Sequence, residues 1–276
     1  MHTFDRELMN TQFLISIADD DFEYARSAAL DCFAETEALE QILSMYQFGS
    51  DVSCINSSNV GDTTPITEET ARCLNLAFAA SAMSRGAIDV CMGEFFLKAK
   101  RGQTLPAPET PRRGKFEFDA AHFLVKKTSE GKIDLGAVGK GFAVDEAVEK
   151  LVNVWEIKSA FLSFGGSSIY AFGKNGDGKA WEINLSDSVK IPVENFAVGA
   201  SGTSVLGAHI VDARTGKVPE NQPFRTWAFC ANAAIADAMS TAFMLLDKSE
   251  IAEICVAENI SAAIQQTPES EIEFID

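Results

Sequence analysis

The sequence predicts an α+β fold. Two long helical patterns come early, short aromatic and β-branched runs fill the middle, and the elements mix without the strand–helix–strand repeat of a doubly wound sheet. No internal repeat or low-complexity segment interrupts the 276 residues, whose hydrophobic content of 46% is enough for a substantial core.

The elements follow in order. Thr11–Ile17 carries the apolar Phe13-Leu14-Ile15 and reads as a strand. Over 19–46 the positions Phe22, Ala25, Ala29, Phe33, Leu39 and Leu43 approximate a helical stripe, and Asp19 to Asp21 suit its N-terminus. Thr67 followed by Glu68 and Glu69 starts a second helix, buried through Leu74, Ala77, Phe78 and Ala82 and stopped by Gly86. Pro106, Pro108 and Pro111, with Arg112 and Arg113, mark 101–115 as an exposed connection. Short strands are expected at 116–119, 123–127 and 132–135, and a helix follows Lys140. Strand-like runs then surround Gly165-Gly166 and continue at 181–185, in the apolar run 209–212 and at 227–230, before a small-residue-rich helix over 234–246.

Composition narrows the function. With 40 acidic against 23 basic residues and a formal charge of -17, binding to nucleic acid or to an anionic membrane is disfavoured, so small molecules or proteins are the expected partners. No apolar run approaches the roughly 20 residues of a membrane span, and no secretory signal pattern is present. As the chain stands, a cytoplasmic protein is expected, exported only if a leader was removed. The six cysteines show no C-x-x-C pair or tight ligand spacing, which argues for buried thiols over a zinc or dithiol site.

The segment Asp134-Leu135-Gly136-Ala137-Val138-Gly139-Lys140-Gly141 concentrates glycines, a helix start and a cation, the equipment for holding an anion. It is no Walker loop, because Asp134 stands where the first Gly is required. It is no dinucleotide fingerprint either, since counting from Gly139 and Gly141 the third Gly position is Val144. On these residues alone, an anion site and a plain strand-to-helix turn both stay open. Near the other end, Asp237 and Thr241 lie four apart on a helix and present a carboxylate and a hydroxyl to one face. Such oxygen donors suit Mg²⁺, which commonly takes only one or two protein side chains, but the spacing also occurs without function.

Taken together, Asp134-x-Gly-x-x-x-Lys140-Gly141, Phe164-Gly165-Gly166, His209-Ile-x-Asp212-x-x-Thr215-Gly216 and Ala236-Asp237-x-x-Ser240-Thr241 resemble the ApbE family of FAD:protein FMN transferases. Met9-Asn10-Thr11, Ser44-Met45-Tyr46 and Gly86-Ala87-Ile88-Asp89 fall where that family has Met-Gly-Thr, Ser-Thr-Tyr and Gly-Ala-Phe-Asp, so the likeness spans nearly the whole chain. The resemblance implies a T-fold-like architecture of two related subdomains with the flavin site between them, within a single transferase domain over 1–276. It implies transfer of FMN from FAD to a Ser or Thr hydroxyl of an acceptor flavoprotein, dependent on Mg²⁺ and releasing AMP.

The same resemblance assigns residues. Asp134 and Lys140 match FAD-contacting positions, and Met9, Tyr46, Ala87, Ile88, Asp89 and Ile210 match further flavin contacts. Ala137 matches a position whose carbonyl binds metal, and Asp237 and Thr241 match the side-chain metal ligands. His209, oriented by Asp212, is expected to accept the acceptor's hydroxyl proton or position that hydroxyl, since an imidazole titrates near neutral pH. Asn10, Met45, Ile88, Val90-Cys91 and Ala213 depart from the family pattern, mainly around the flavin and acceptor surfaces, as does the short 201–209 loop. The rival activities are an Mg²⁺-dependent FAD pyrophosphatase that yields FMN and AMP and a non-catalytic FAD-binding protein.

Overall fold

The computed structural model describes residues 1–100, 114–203 and 210–276. In chain order the first half contains β1 His2–Leu8, β2 Thr11–Ile17, α1 Phe22–Leu43, α2 Asp51–Ser57, β3 Thr63–Pro65, α3 Glu68–Met83, α4 Gly93–Lys100, β4 Phe116–Asp119, β5 Leu124–Lys127 and α5 Gly139–Asn153. The second half contains β6 Ala160–Phe164, β7 Ser168–Phe172, β8 Trp181–Asn184, β9 Lys190–Val193, β10 Phe196–Gly202, β11 Arg225–Cys230, α6 Ala233–Phe243, α7 Lys248–Glu258, β12 Ser261–Gln265 and β13 Ile272–Ile275.

The mixed α+β class read from the sequence is what the chain adopts. Eight strands form one sheet in the order β1-β2-β6-β7-β10-β11-β12-β13, with antiparallel neighbours throughout. The helices α5 and α6 pack on this sheet, and α1 and α3 pack against them. This layer holds the main core, in which Phe13 stacks on Phe164 at 4.5 Å and meets Phe33 edge-on at 5.7 Å. Burying one such side chain contributes roughly 1.5–3 kcal/mol. A second cluster of Ile169, Trp181, Ile183, Val193, Val198 and Trp227 joins the sheet to the β8–β9 hairpin. Because both faces of the central strands are covered, β10 is buried at successive residues Ala197, Val198 and Gly199 rather than alternating.

The sequence-derived stripe on α1 holds except at Phe22, which is exposed: Asp21 caps the Tyr24 amide, and Ala25, Ala28, Ala29, Cys32, Phe33, Thr36, Leu39 and Leu43 face inward. Other expectations change. The 132–135 run is not a strand; it makes an isolated bridge from Lys132 to Met92 and is clamped by Asn56, whose amide bonds both the carbonyl and the N–H of Ile133. The strand β1 was not expected, since its charged residues give no apolar alternation; it is an edge strand and can stay polar. The short helices α2 and α4, and α7 with its weak apolar stripe, also escaped the pattern. Most of the Pro-rich connection, and the beginning of the 209–212 run, lie outside the described residues. Among the described residues no helix is long and apolar enough to cross a membrane.

One end of the sheet gathers the elements that matter below. Met9 and Asn10, at φ 46° and 61°, make the two-residue turn between β1 and β2, a conformation that Asn tolerates in place of Gly. Gly165 and Gly166, at φ 62° and 67°, turn β6 into β7 beside it, and the Gly165 amide donates to the Gln12 carbonyl at 2.8 Å. The C-terminus of α1 arrives at the same end, where Glu40 accepts the Met9 amide at 3.0 Å.

Candidate active site

The N-terminus of α5 lacks a side-chain cap of its own, because the capping position is Val138. A carboxylate from another helix takes that part: Asp237 Oδ2 on α6 accepts the Gly141 amide at 3.2 Å and stands 3.6 Å from Lys140 Nζ. The service is returned. Asp145, on α5, accepts the Ala233 and Ala234 amides at 2.7 and 2.8 Å, while Asn232 accepts that of Ile235 at 2.9 Å. Each helix thus caps the other through an aspartate four residues beyond a capped amide.

Glycine permits this approach. A Cβ at Gly141 would lie 2.2 Å from the Ala233 carbonyl oxygen, and one at Gly199 on β10 would lie 2.0 Å from that of Ala236. None of Gly136, Gly139 and Gly141 adopts a positive φ, so the expected tight glycine turn is replaced by close helix packing at Gly141. At Gly139 an added Cβ would meet nothing within 4 Å.

Asp237 is only 4% exposed. Burial pushes its pKa up, opposed by the charge of Lys140, by Ser168 and by the Gly141 N–H. Asp145 is likewise raised, to about 6, by burial first, against the two amides it accepts; the neighbouring Asp237 charge adds to the rise. Around Asp237 stand hydroxyls. Ser201 Oγ contacts Ser240 Oγ at 2.9 Å and Thr241 Oγ1 at 3.0 Å, and Thr241 Oγ1 lies 3.4 Å from the Asp237 carbonyl. Ser168 Oγ is completely buried and closes no hydrogen bond of ordinary geometry, although it is near enough to Asp237 to favour the ionised carboxylate.

The turn that leads into α5 is tied to a second strip of chain. Asp134 Oδ1 accepts the Gly136 amide at 2.9 Å, and the Asp134 amide donates to the Val90 carbonyl at 2.8 Å. Ala137 is half-buried in this turn. Immediately before Val90 run Ala87, Ile88 and Asp89, of which Ala87 and Ile88 are buried and Asp89 accepts the Cys91 amide. The Ala87 carbonyl in turn accepts the Ala213 amide, which joins this strip to the turn after Ile210. Met9 is half-buried against the main core, and Tyr46, just beyond the end of α1, is 63% exposed.

Thus the structure brings together Lys140 and the Asp237 carboxylate, sets the Thr241 hydroxyl on the Asp237 main-chain carbonyl, links Asp134 to Val90 and Ala87 to Ala213 through backbone bonds, and places Met9 and Tyr46 near the end of α1 at the turn end of the sheet. His209 lies outside the described residues. Among the described residues both Asp212 oxygens accept from Arg214, through its backbone amide, Nε and a terminal guanidinium nitrogen. The Arg214 guanidinium reaches on to Glu250 at 2.9 Å. Sequence reasoning missed Asp145, Ser168, Gly199 and Ser201. Only the Gly141-to-Asp145 spacing, one helical turn, offered a local signal.

Among the described residues no group of three or more His, Cys, Asp and Glu could hold a metal ion. The donor set at Asp237 is instead one buried carboxylate with the Ser168 hydroxyl beside it, and the Ser240 and Thr241 hydroxyls at its main-chain carbonyl. That fits a hard cation of the Mg²⁺ kind, which completes its shell with water or ligand oxygens, and not a soft metal.

The ApbE family model matches residues 9–264, and the chain belongs to the ApbE family. It is 25% identical over 252 residues to a protein of Haemophilus influenzae named FAD:protein FMN transferase, covering 79% of this chain and 72% of that one. A protein of Escherichia coli K12 with the same name is 23% identical over 269 residues, covering 86% and 76%. The fold is similar to that of the Pseudomonas stutzeri flavinyl transferase ApbE in its apo form, with a TM-score of 0.86 and 19% identity, covering 100% of this chain and 95% of that one. It is also similar to the Thermotoga maritima ApbE protein, with a TM-score of 0.84 and 21% identity, covering 100% and 97%.

Proposed function

We propose that this protein is an FAD:protein FMN transferase, acting over 1–276 as one domain, which moves FMN from FAD to a Ser or Thr hydroxyl of an acceptor flavoprotein with the help of Mg²⁺. The names of its relatives support flavin transfer. The observation that carries the reading is the meeting of the Lys140 ammonium, the Gly141 N–H and the buried Asp237 carboxylate at the start of α5.

In this reading FAD lies between two related T-fold-like halves, contacted by Met9, Tyr46, Ala87, Ile88, Asp89, Asp134, Lys140 and Ile210. Lys140 and the N-terminal dipole of α5 favour the pyrophosphate electrostatically. A Mg²⁺ held by Asp237, Thr241 and the Ala137 carbonyl would neutralise charge on the phosphoryl oxygens as AMP leaves. The acceptor hydroxyl forms a bond to the FMN phosphorus, the pyrophosphate P–O bond breaks, and His209 takes the hydroxyl proton. Lys140 and the α5 dipole hold the pyrophosphate while this happens.

The test is to incubate the purified protein with FAD, Mg²⁺ and a flavoprotein bearing a Ser/Thr acceptor, following acceptor mass and free AMP. FMN-modified acceptor with one AMP per modification is expected. FMN and AMP without modification would make the protein a pyrophosphatase, and intact FAD would make it a binder; either result overturns the proposal. Asp237→Ala should lower turnover by at least ~100-fold, as loss of a group that stabilises transition-state charge does.

A further inference from the structure

β7 begins at Ser168, and the antiparallel register sets this residue across from Gly199 on β10. Gly199 is where α6 lies down on the sheet: a Cβ there would come within 2.0 Å of the Ala236 carbonyl oxygen and 2.6 Å of the Asp237 amide nitrogen. Ser168 and Asp237 are thereby brought to one place from two layers of the fold, although 69 positions separate them in sequence.

A hydroxyl has one proton and two lone pairs. Beside an ionised carboxylate the proton turns toward the carboxylate, and the lone pairs are left for whatever else enters. A phosphate oxygen is itself an acceptor and cannot serve them; a cation can. Thr241 is placed differently, since its Oγ1 already contacts Ser201 Oγ at 3.0 Å and the Asp237 carbonyl at 3.4 Å. Ser168 Oγ is completely buried without such partners. With its proton turned to Asp237 and no donor at its lone pairs, the hydroxyl has acceptor capacity left for a bound ligand.

We propose that Ser168 Oγ is a further side-chain ligand of the hard divalent cation held at Asp237. The inference rests on the cation reading of Asp237 given above. It extends the ligand set to β7, so that the cation ties the sheet to α6.

Ser168→Ala tests the assignment on the cation itself. In the presence of FAD, Mn²⁺ affinity, read as free Mn²⁺ by electron paramagnetic resonance, should fall by roughly 10- to 100-fold, the usual effect of disturbing a metal shell. Unchanged Mn²⁺ affinity overturns the proposal. Ser168→Cys gives a readout independent of stability: a sulfur ligand should move the preference from Mg²⁺ toward Cd²⁺, and an unmoved preference refutes direct ligation. Asp237→Ala is the reference. If it too leaves Mn²⁺ binding intact, the cation reading of Asp237 has failed; if it alone abolishes binding, only the assignment of Ser168 has.

Discussion

Gly141→Ala tests whether helix packing or turn geometry explains the glycines of the 134–141 segment. The added Cβ would stand 2.2 Å from the Ala233 carbonyl oxygen and 2.6 Å from its carbonyl carbon. Carbon-to-carbonyl-oxygen contacts settle near ~3.3 Å, so α5 and α6 must part by about 1 Å. Overpacking of this kind costs about 1–3 kcal/mol. The separation also stretches the 3.2 Å bond from the Gly141 amide to Asp237, and hydrogen bonds to charged groups contribute about 1.5–3 kcal/mol. Against these stands a gain of about 0.5–1 kcal/mol for Ala over Gly within a helix. The net expectation is a loss of about 2–4 kcal/mol, or a melting temperature lower by roughly 4–8 °C for a chain of this size. Gly139→Ala is the control, since nothing within 4 Å opposes its Cβ and it should gain about 0.5–1 kcal/mol. Urea unfolding of the three proteins with matched m-values decides. Equal or greater stability of Gly141→Ala, or equal losses in both variants, would refute the packing argument.

Three further outcomes are expected. The pKa of Asp145 rises on folding from 3.8 to about 6, so the folded state binds the extra proton and this group's stability, full below pH ~4, is lost as pH rises through ~6, by about 3 kcal/mol in all. Urea unfolding of wild type and Asp145→Asn between pH 4 and 7 should show the wild type losing ground by that order, and a flat difference would count against it. Arg214→Met leaves Asp212, only 5% exposed, charged and without its guanidinium, and should cost about 3–5 kcal/mol near neutral pH in thermal or urea unfolding. His209→Ala should lower the transfer rate by roughly 10²–10⁴-fold and remove the limb of the pH–rate profile near neutrality; an unchanged rate and profile would exclude it as the proton acceptor.

Legibility followed the range of the interactions. The stripe on α1 could be read because residues three and four apart share a face whatever lies opposite. The residue types at Lys140, Asp237 and Thr241 pointed to anion and cation chemistry for the same reason, since charge and donor type belong to the side chain itself. The polar edge strand β1 gave no signal because its ladder bonds come from β2, and the 132–135 run read as a strand although Asn56 and Met92 supply its partners.

The sequence by itself determined the acidic character, the α+β class, the periodic helices and the family pattern of motifs, all properties of residues or of their near neighbours. Only the tertiary structure decided what those residues touch. It turned Gly141 from a turn former into a packing contact, assigned Asp212 to Arg214, and set Ser168 beside an aspartate on another layer. The physical reason is separation along the chain: the bond from Gly141 to Asp237 spans 96 residues. Its existence depends on strand register and on two missing Cβ atoms, which local sequence pattern does not encode.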